Sequence, residues 1–151
     1  MMYKLKKKYW MRLLGIDYGT KRVGVSISDD GGRLAFPHTT LSSDKELINE
    51  LRLITDEYKI ERIIVGESKD YQMKDNAIMG EVSVLVEELT NILGIEVVLQ
   101  PEFMTTMQIS KEHFQATKEV GRKTQKKDRA DNLDAKAATL ILQSYIDSNL
   151  K

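Results

Sequence analysis

The spacing of apolar residues changes period along the chain, and each change marks an element. Met11–Ile16 is an apolar run ending in Asp17, and a turn follows at Tyr18-Gly19-Thr20-Lys21. Val23, Val25 and Ile27 then alternate with small residues, which is the period of a strand. Ser28-Asp29-Asp30-Gly31-Gly32 is a turn cluster with glycine available for positive φ. Arg33–Thr40 reads as a third strand, where Pro37 predicts an edge or a bulge. From Ser43 the period becomes helical. Ser43 to Glu46 spells S-x-x-E, a capping box, and Leu47, Leu51, Ile54 and Tyr58 follow at helical spacing. Glu61–Gly66 is a short apolar strand and Glu67–Asn76 a polar loop. A second amphipathic helix carries Ile78, Val82, Leu85, Leu89 and Ile92, with Gly94 placed to end it. Ile95–Leu99 is another strand, closed by Pro101; Met104–Ala116 is expected to be helical, and Thr117–Lys127 has no clear element. The last helix runs from about Ala130 to Ser148, with Leu133, Ala137, Leu140, Ile141 and Tyr145 as its stripe. A strand meander followed by alternating helices and strands predicts one α/β domain with a mixed sheet, its later strands parallel.

Composition narrows the function. The 151 residues suit a single domain that folds without staples. Lys plus Arg and Asp plus Glu are 23 each, so the net charge is zero, and a nucleic-acid surface has to be argued from where the cations sit. Cysteine is absent, which excludes disulfides, thiolate nucleophiles and cysteine-ligated metals. With His38 and His113 the only histidines, a three-histidine metal site is excluded too. No apolar run approaches the roughly 18 residues of a membrane span. The opening MMYKLKKKYW is basic but lacks the apolar stretch of a signal peptide. Residues 1–10 therefore read as a flexible basic tail or an upstream start, residues 11–151 as the domain, and the cytoplasm as the compartment.

The candidate chemistry is acidic. In LLGIDYGTKRVGV (Leu13–Val25) a buried strand ends in Asp17, poised to hold a hard divalent cation or, alternatively, to form the turn. Gly19 and Gly24 would let a backbone approach a phosphate, and Lys21 and Arg22 would neutralise one. In the last helix Asp131 and Asp134 are three residues apart and share a face. A helix-dipole preference accounts for Asp128 and Asp131 without any function, but less well for Asp134, about a turn further in beside small Ala135, Ala137 and Ala138. Glu67 and Glu102 each follow a strand, and sites in open α/β sheets gather outside the carboxyl ends of parallel strands. Carboxylates so clustered repel unless cations neutralise them, which points to Mg²⁺ or Mn²⁺ and phosphoryl chemistry. Lys118–Arg129 holds six Lys or Arg and two acids, a basic rim for a phosphate backbone or else an ordinary solvated loop.

GIDYGTKRVGVSISD, RLAFPHTTL, the strand IIVG with its polar loop, the Thr105-Thr106 pair and DNLDAKAATLILQSYID resemble the YqgF/RuvX family over roughly Met11–Asp147. The resemblance implies an RNase H-like fold: a five-stranded mixed sheet, β-β-β-α-β-α-β-α, with helices on both faces. It implies a nuclease of structured nucleic acid, described in this family as a pre-16S ribosomal RNA nuclease or a Holliday junction resolvase. The family acids fall on Asp17, Glu102 and Asp134 as catalytic residues and ligands of two Mg²⁺ or Mn²⁺ ions. Glu67 is the alternative second acid and Asp131 a further candidate ligand. Lys21, Arg22, Thr105, Thr106, Lys123, Lys126 and Lys127 are the expected nucleic-acid contacts. Two departures stand out: Pro101-Glu102-Phe103 replaces the family's D-E-R, and Val65-Gly66-Glu67-Ser68 its V-G-L-P. They leave open an inactive binding module, while an actin-like ATPase needs a second lobe that this length cannot supply. Structured RNA or branched DNA is the expected partner, with the protein a monomer or homodimer. Tyr18 is expected to stack on a base or cover the sheet edge, and Trp10 and Phe36 to pack.

Overall fold

A computed structural model describes residues 11–68, 77–102 and 126–150 of the chain. The tail 1–10, the helix expected over Met104–Ala116 and most of the segment from Thr117 to Lys127 lie outside the described residues. The strands are β1 (Leu13–Tyr18), β2 (Arg22–Ser28), β3 (Ala35–Ser42), β4 (Arg62–Ser68) and β5 (Glu96–Glu102). They form one sheet in the order β3-β2-β1-β4-β5. The meander β1-β2-β3 is antiparallel, and β1, β4 and β5 run parallel, as the alternation of elements predicts. The helices are α1 (Leu47–Tyr58), α2 (Ala77–Glu88), which runs on into one π-helical turn at Leu89–Leu93, and α3 (Lys126–Asn149). Among the described residues, no helix is long and apolar enough to cross a membrane.

Side-chain alternation divides the core between the two faces of the sheet. Leu14, Ile16, Val23, Val25, Ile63 and Val65 point to α1 and α2, where Leu51, Ile54, Val82 and Leu89 meet them. Leu13 and Ile64 point the other way, to Ile141, Leu142, Tyr145 and Ile146 of α3. Fully burying a side chain such as Leu142 is worth about 1.5–3 kcal/mol, so α3 is firmly seated. It is also tied to the edge strand: the Ala35 amide donates to Gln143 Oε1 at 2.9 Å. Below the sheet, the Leu13 amide donates to the buried Ser28 hydroxyl at 2.8 Å.

Several expectations shift. Pro37 does lie on an edge strand, at a bulge: Val25 faces Thr39 while Ser26 faces Pro37. The capping box does not form. The Ser43 amide donates to the Lys21 carbonyl and its hydroxyl to Tyr18, so Ser43 is still engaged with the hairpin. Asp44 makes the turn instead, accepting from the Glu46 amide at 2.9 Å. The π turn displaces the apolar stripe of α2, leaving Ile92 exposed and turning Leu93 inward before Gly94 (φ 64°) ends the helix. Pro101 does not close its strand, because β5 is an edge and tolerates a missing N–H. β4 likewise continues through Glu67 and Ser68. Phe36 is 53% exposed on β3 rather than packed.

Candidate active site

The site is built where α3 crosses the hairpin. Gly15 pairs with Ser26 and Asp17 with Gly24, and these four positions share the α3 face of β1 and β2. A Cβ on Gly24 would stand 1.9 Å from the Asp134 carbonyl oxygen, and one on Gly15 would stand 2.8 Å from that of Ala138. Only a strand without side chains there admits the helix backbone so closely. The buried Ser26 hydroxyl donates to the Ala138 carbonyl at 2.8 Å and fixes the contact. Ala135 and Ala138 are buried against it, as their small size predicts. Gly24 is thus filled by the protein's own helix and is not the phosphate approach that its sequence context implied. Gly19 makes the tight turn, its amide donating to the Arg22 carbonyl at 2.9 Å.

This seat sets Asp134 next to the strand pair that carries Asp17. The helix begins at Lys126, four residues earlier than its apolar pattern predicts, which places Asp134 about two turns in. A dipole effect fades within the first turn and leaves this acid unexplained. The Arg22 Nε donates to Asp134 Oδ2 at 2.8 Å, with the side chains 49% and 24% exposed. This pair was not foreseen from sequence. Its signal was the parity of Arg22, Gly24 and Ser26, which places all three on one face.

The same parity separates the two glutamates. Glu67 shares the face of Ile63 and Val65, toward α1 and α2. Position 102 is in register with Ser68 and has the parity of Val98, which packs toward α3. Position 102 is therefore on the face of Asp17 and Asp134, and Glu67 is on the other. Tyr18 also faces away from Asp17: its hydroxyl donates to Glu81 Oε2 at 3.0 Å, and it lines a cavity of about 550 Å³ with Ser43 and Lys45. Lys21 is exposed at the hairpin. His38 meets Tyr58 edge-on, with ring centroids 5.1 Å apart. Lys126, Lys127 and Asp131 lie on the first turns of α3, while Thr105, Thr106 and Lys123, and the side chains of Glu102 and Asp131, lie outside the described residues. Among the described residues, no group of three or more His, Cys, Asp or Glu side chains is assembled for a metal ion.

A family model described as RuvX, Holliday junction resolvase, matches residues 11–148. The chain belongs to the RuvX family. A protein of Lactococcus lactis subsp. cremoris named "Putative pre-16S rRNA nuclease" is 37% identical over 143 residues, covering 91% of this chain and 95% of the relative. One of the same name from Geobacillus sp. is 36% identical over 146 residues, covering 91% and 99%. The RuvX chain also superposes on T. thermophilus RuvC in complex with Holliday junction substrate, with a TM-score of 0.56 at 17% identity, covering 92% of this chain and 96% of that one. For the fowlpox virus resolvase in complex with Holliday junction DNA the TM-score is 0.53 at 16% identity, covering 93% and 100%. At these identities the likeness establishes the fold, which is RNase H-like.

Proposed function

We propose that this RuvX chain is a metal-dependent endonuclease that hydrolyses phosphodiester bonds in structured nucleic acid, with precursor 16S ribosomal RNA as its substrate. Asp17, Asp134 and Glu102 are its catalytic carboxylates, carried by a single domain over residues 11–151. The observation that carries this reading is the backbone contact between Gly24 and Asp134, which seats one acid beside the strand partner of another. The face of position 102 supports Glu102 over Glu67 as the third acid. Carboxylate oxygens on rigid elements fit Mg²⁺ or Mn²⁺, and the chemistry excludes softer metals that want thiolates. Two such ions, when bound, supply an activated water and offset charge on the leaving oxygen. The protein's part is to hold the carboxylates in place and the phosphate in line. Lys21 and Arg22 at the hairpin, with Thr105, Thr106, Lys123, Lys126 and Lys127, hold the backbone. Lys126 and Lys127 stand where the helix dipole disfavours cations, which favours a function for them over a structural role.

A second substrate reading, a four-way DNA junction, is favoured by the family description and by the resolvase fold. End-labelled precursor RNA and a four-way junction, each incubated with Mn²⁺, Mg²⁺ or EDTA, separate the two. Metal-dependent cleavage leaving 5′-phosphate ends is expected, on the RNA in preference to the junction, and Asp17→Asn or Asp134→Asn should abolish it. Full activity in either variant would overturn the assignment. Tight binding without cleavage would make the protein a binding module.

A further inference from the structure

The ion pair between Arg22 and Asp134 sits inside the site proposed above, where the guanidinium and a metal ion would compete for the same carboxylate charge. Asp134 is a half-buried carboxylate, and in this structure the Arg22 Nε supplies a countercharge at 2.8 Å from Oδ2. A divalent cation on the same carboxylate would repel the guanidinium and weaken its hold. The pair is suited to being displaced. Half of the Arg22 side chain is exposed, and ion pairs with such access to water are weak. Arg22 stands two residues before Gly24 on the same face of β2, about 7 Å along the strand, at the turn that opens on solvent. A released guanidinium there stays next to the carboxylates and has the planar fork that suits a phosphate.

We propose that Arg22 is the exchangeable countercharge of the metal-free site. It neutralises Asp134 until a divalent cation takes the carboxylate, and it is then free to hold a phosphate of the nucleic acid. Metal and nucleic acid are thereby coupled through one side chain, and by linkage each raises the affinity of the other. This rests on the reading of Asp134 as a metal ligand. Arg22 acts here as a positioning residue, since its role in metal binding is exerted through Asp134.

The test measures Mn²⁺ binding to the full chain without nucleic acid, from the free-Mn²⁺ electron paramagnetic resonance signal. Removing the competitor should tighten binding, so Arg22→Gln is expected to bind Mn²⁺ about threefold to tenfold more tightly than the wild type. Arg22→Lys keeps the charge without the side-on Nε contact and should fall between them. Anisotropy of a labelled stem–loop RNA, with Ca²⁺ or EDTA, should show the cation strengthening binding in the wild type and much less in Arg22→Gln. Equal or weaker Mn²⁺ binding by Arg22→Gln would overturn the proposal. If Asp134→Asn loses Mn²⁺ in that case, the metal site stands and only the exchange falls. If Asp134→Asn keeps wild-type Mn²⁺ affinity, both fall.

Discussion

Replacing Gly24 by alanine puts a methyl group where the backbone of α3 now lies. The added carbon would be 1.9 Å from the Asp134 carbonyl oxygen, 2.3 Å from its carbon and 3.1 Å from the Ala135 nitrogen. All three are backbone atoms, so no rotamer change relieves the clash, and the helix has to retreat by about 1 Å from a close-packed surface. Overpacking of this kind costs about 1–3 kcal/mol, and a clash with main chain belongs at the upper end. In a chain of this size about 3 kcal/mol corresponds to a fall in Tm of about 6–12 °C. The same retreat carries Asp134 away from Asp17, so Mn²⁺ affinity should fall at least tenfold, since displacements of about 1 Å have large effects on site chemistry. Gly80→Ala is the control. That position is in α2 with nothing within 4 Å of an added Cβ, so the substitution should gain about 0.5–1 kcal/mol and leave Mn²⁺ binding unchanged. Calorimetric melts and Mn²⁺ titrations of both variants decide the matter. A Gly24→Ala protein that melts within about 1 °C of the wild type and binds Mn²⁺ normally would refute the described seating of α3.

Three further outcomes are expected. Glu102→Gln should cut metal-dependent cleavage by at least about a hundredfold, and Glu67→Gln, on the other face, by less than about threefold; loss of Mn²⁺ binding in Glu67→Gln alone would reverse that assignment. Replacing Lys123, Lys126 and Lys127 together by alanine should flatten the log–log salt slope of RNA binding by about two to three units, equally for different sequences, with Mn²⁺ binding unchanged. Ser28→Ala leaves the buried Leu13 amide without its acceptor and should cost about 1–3 kcal/mol in urea unfolding, without altering activity per folded molecule.

Much of the architecture was legible because it rests on periodicity. Val23, Val25 and Ile27 alternate, Leu47, Leu51 and Ile54 recur helically, and the order of these elements leaves few topologies. Local boundaries were less legible because tertiary partners override local preference. Ser43 is a good cap by composition, yet it is engaged by Lys21 and Tyr18. Ile92 fits a period of 3.6 that the π turn interrupts. In the site, motif and spacing singled out Asp17 and Asp134, and the alanines of α3 announced a close approach to the sheet. The partner of that approach was misread: Gly24 looks like a phosphate loop in sequence, because a missing side chain makes room for a ligand and for a helix alike. The Arg22–Asp134 pair joins residues 112 apart in the chain: strand parity puts Arg22 on the face of Gly24 and Ser26, but only the seating of α3 brings Asp134 to it. The choice between Glu67 and Glu102 depends on strand parity, which applies to Glu67 because β4 continues through Ser68.

Anomalous diffraction from crystals soaked in Mn²⁺ tests the metal-site reading most directly. Mn²⁺ peaks are expected on the α3 side of the sheet, ligated by Asp17, Asp134 and Glu102, with the Arg22 guanidinium moved off Asp134. Mn²⁺ held by Glu67 on the opposite face, or crystals of cleavage-competent protein with no Mn²⁺ at Asp17, would contradict it.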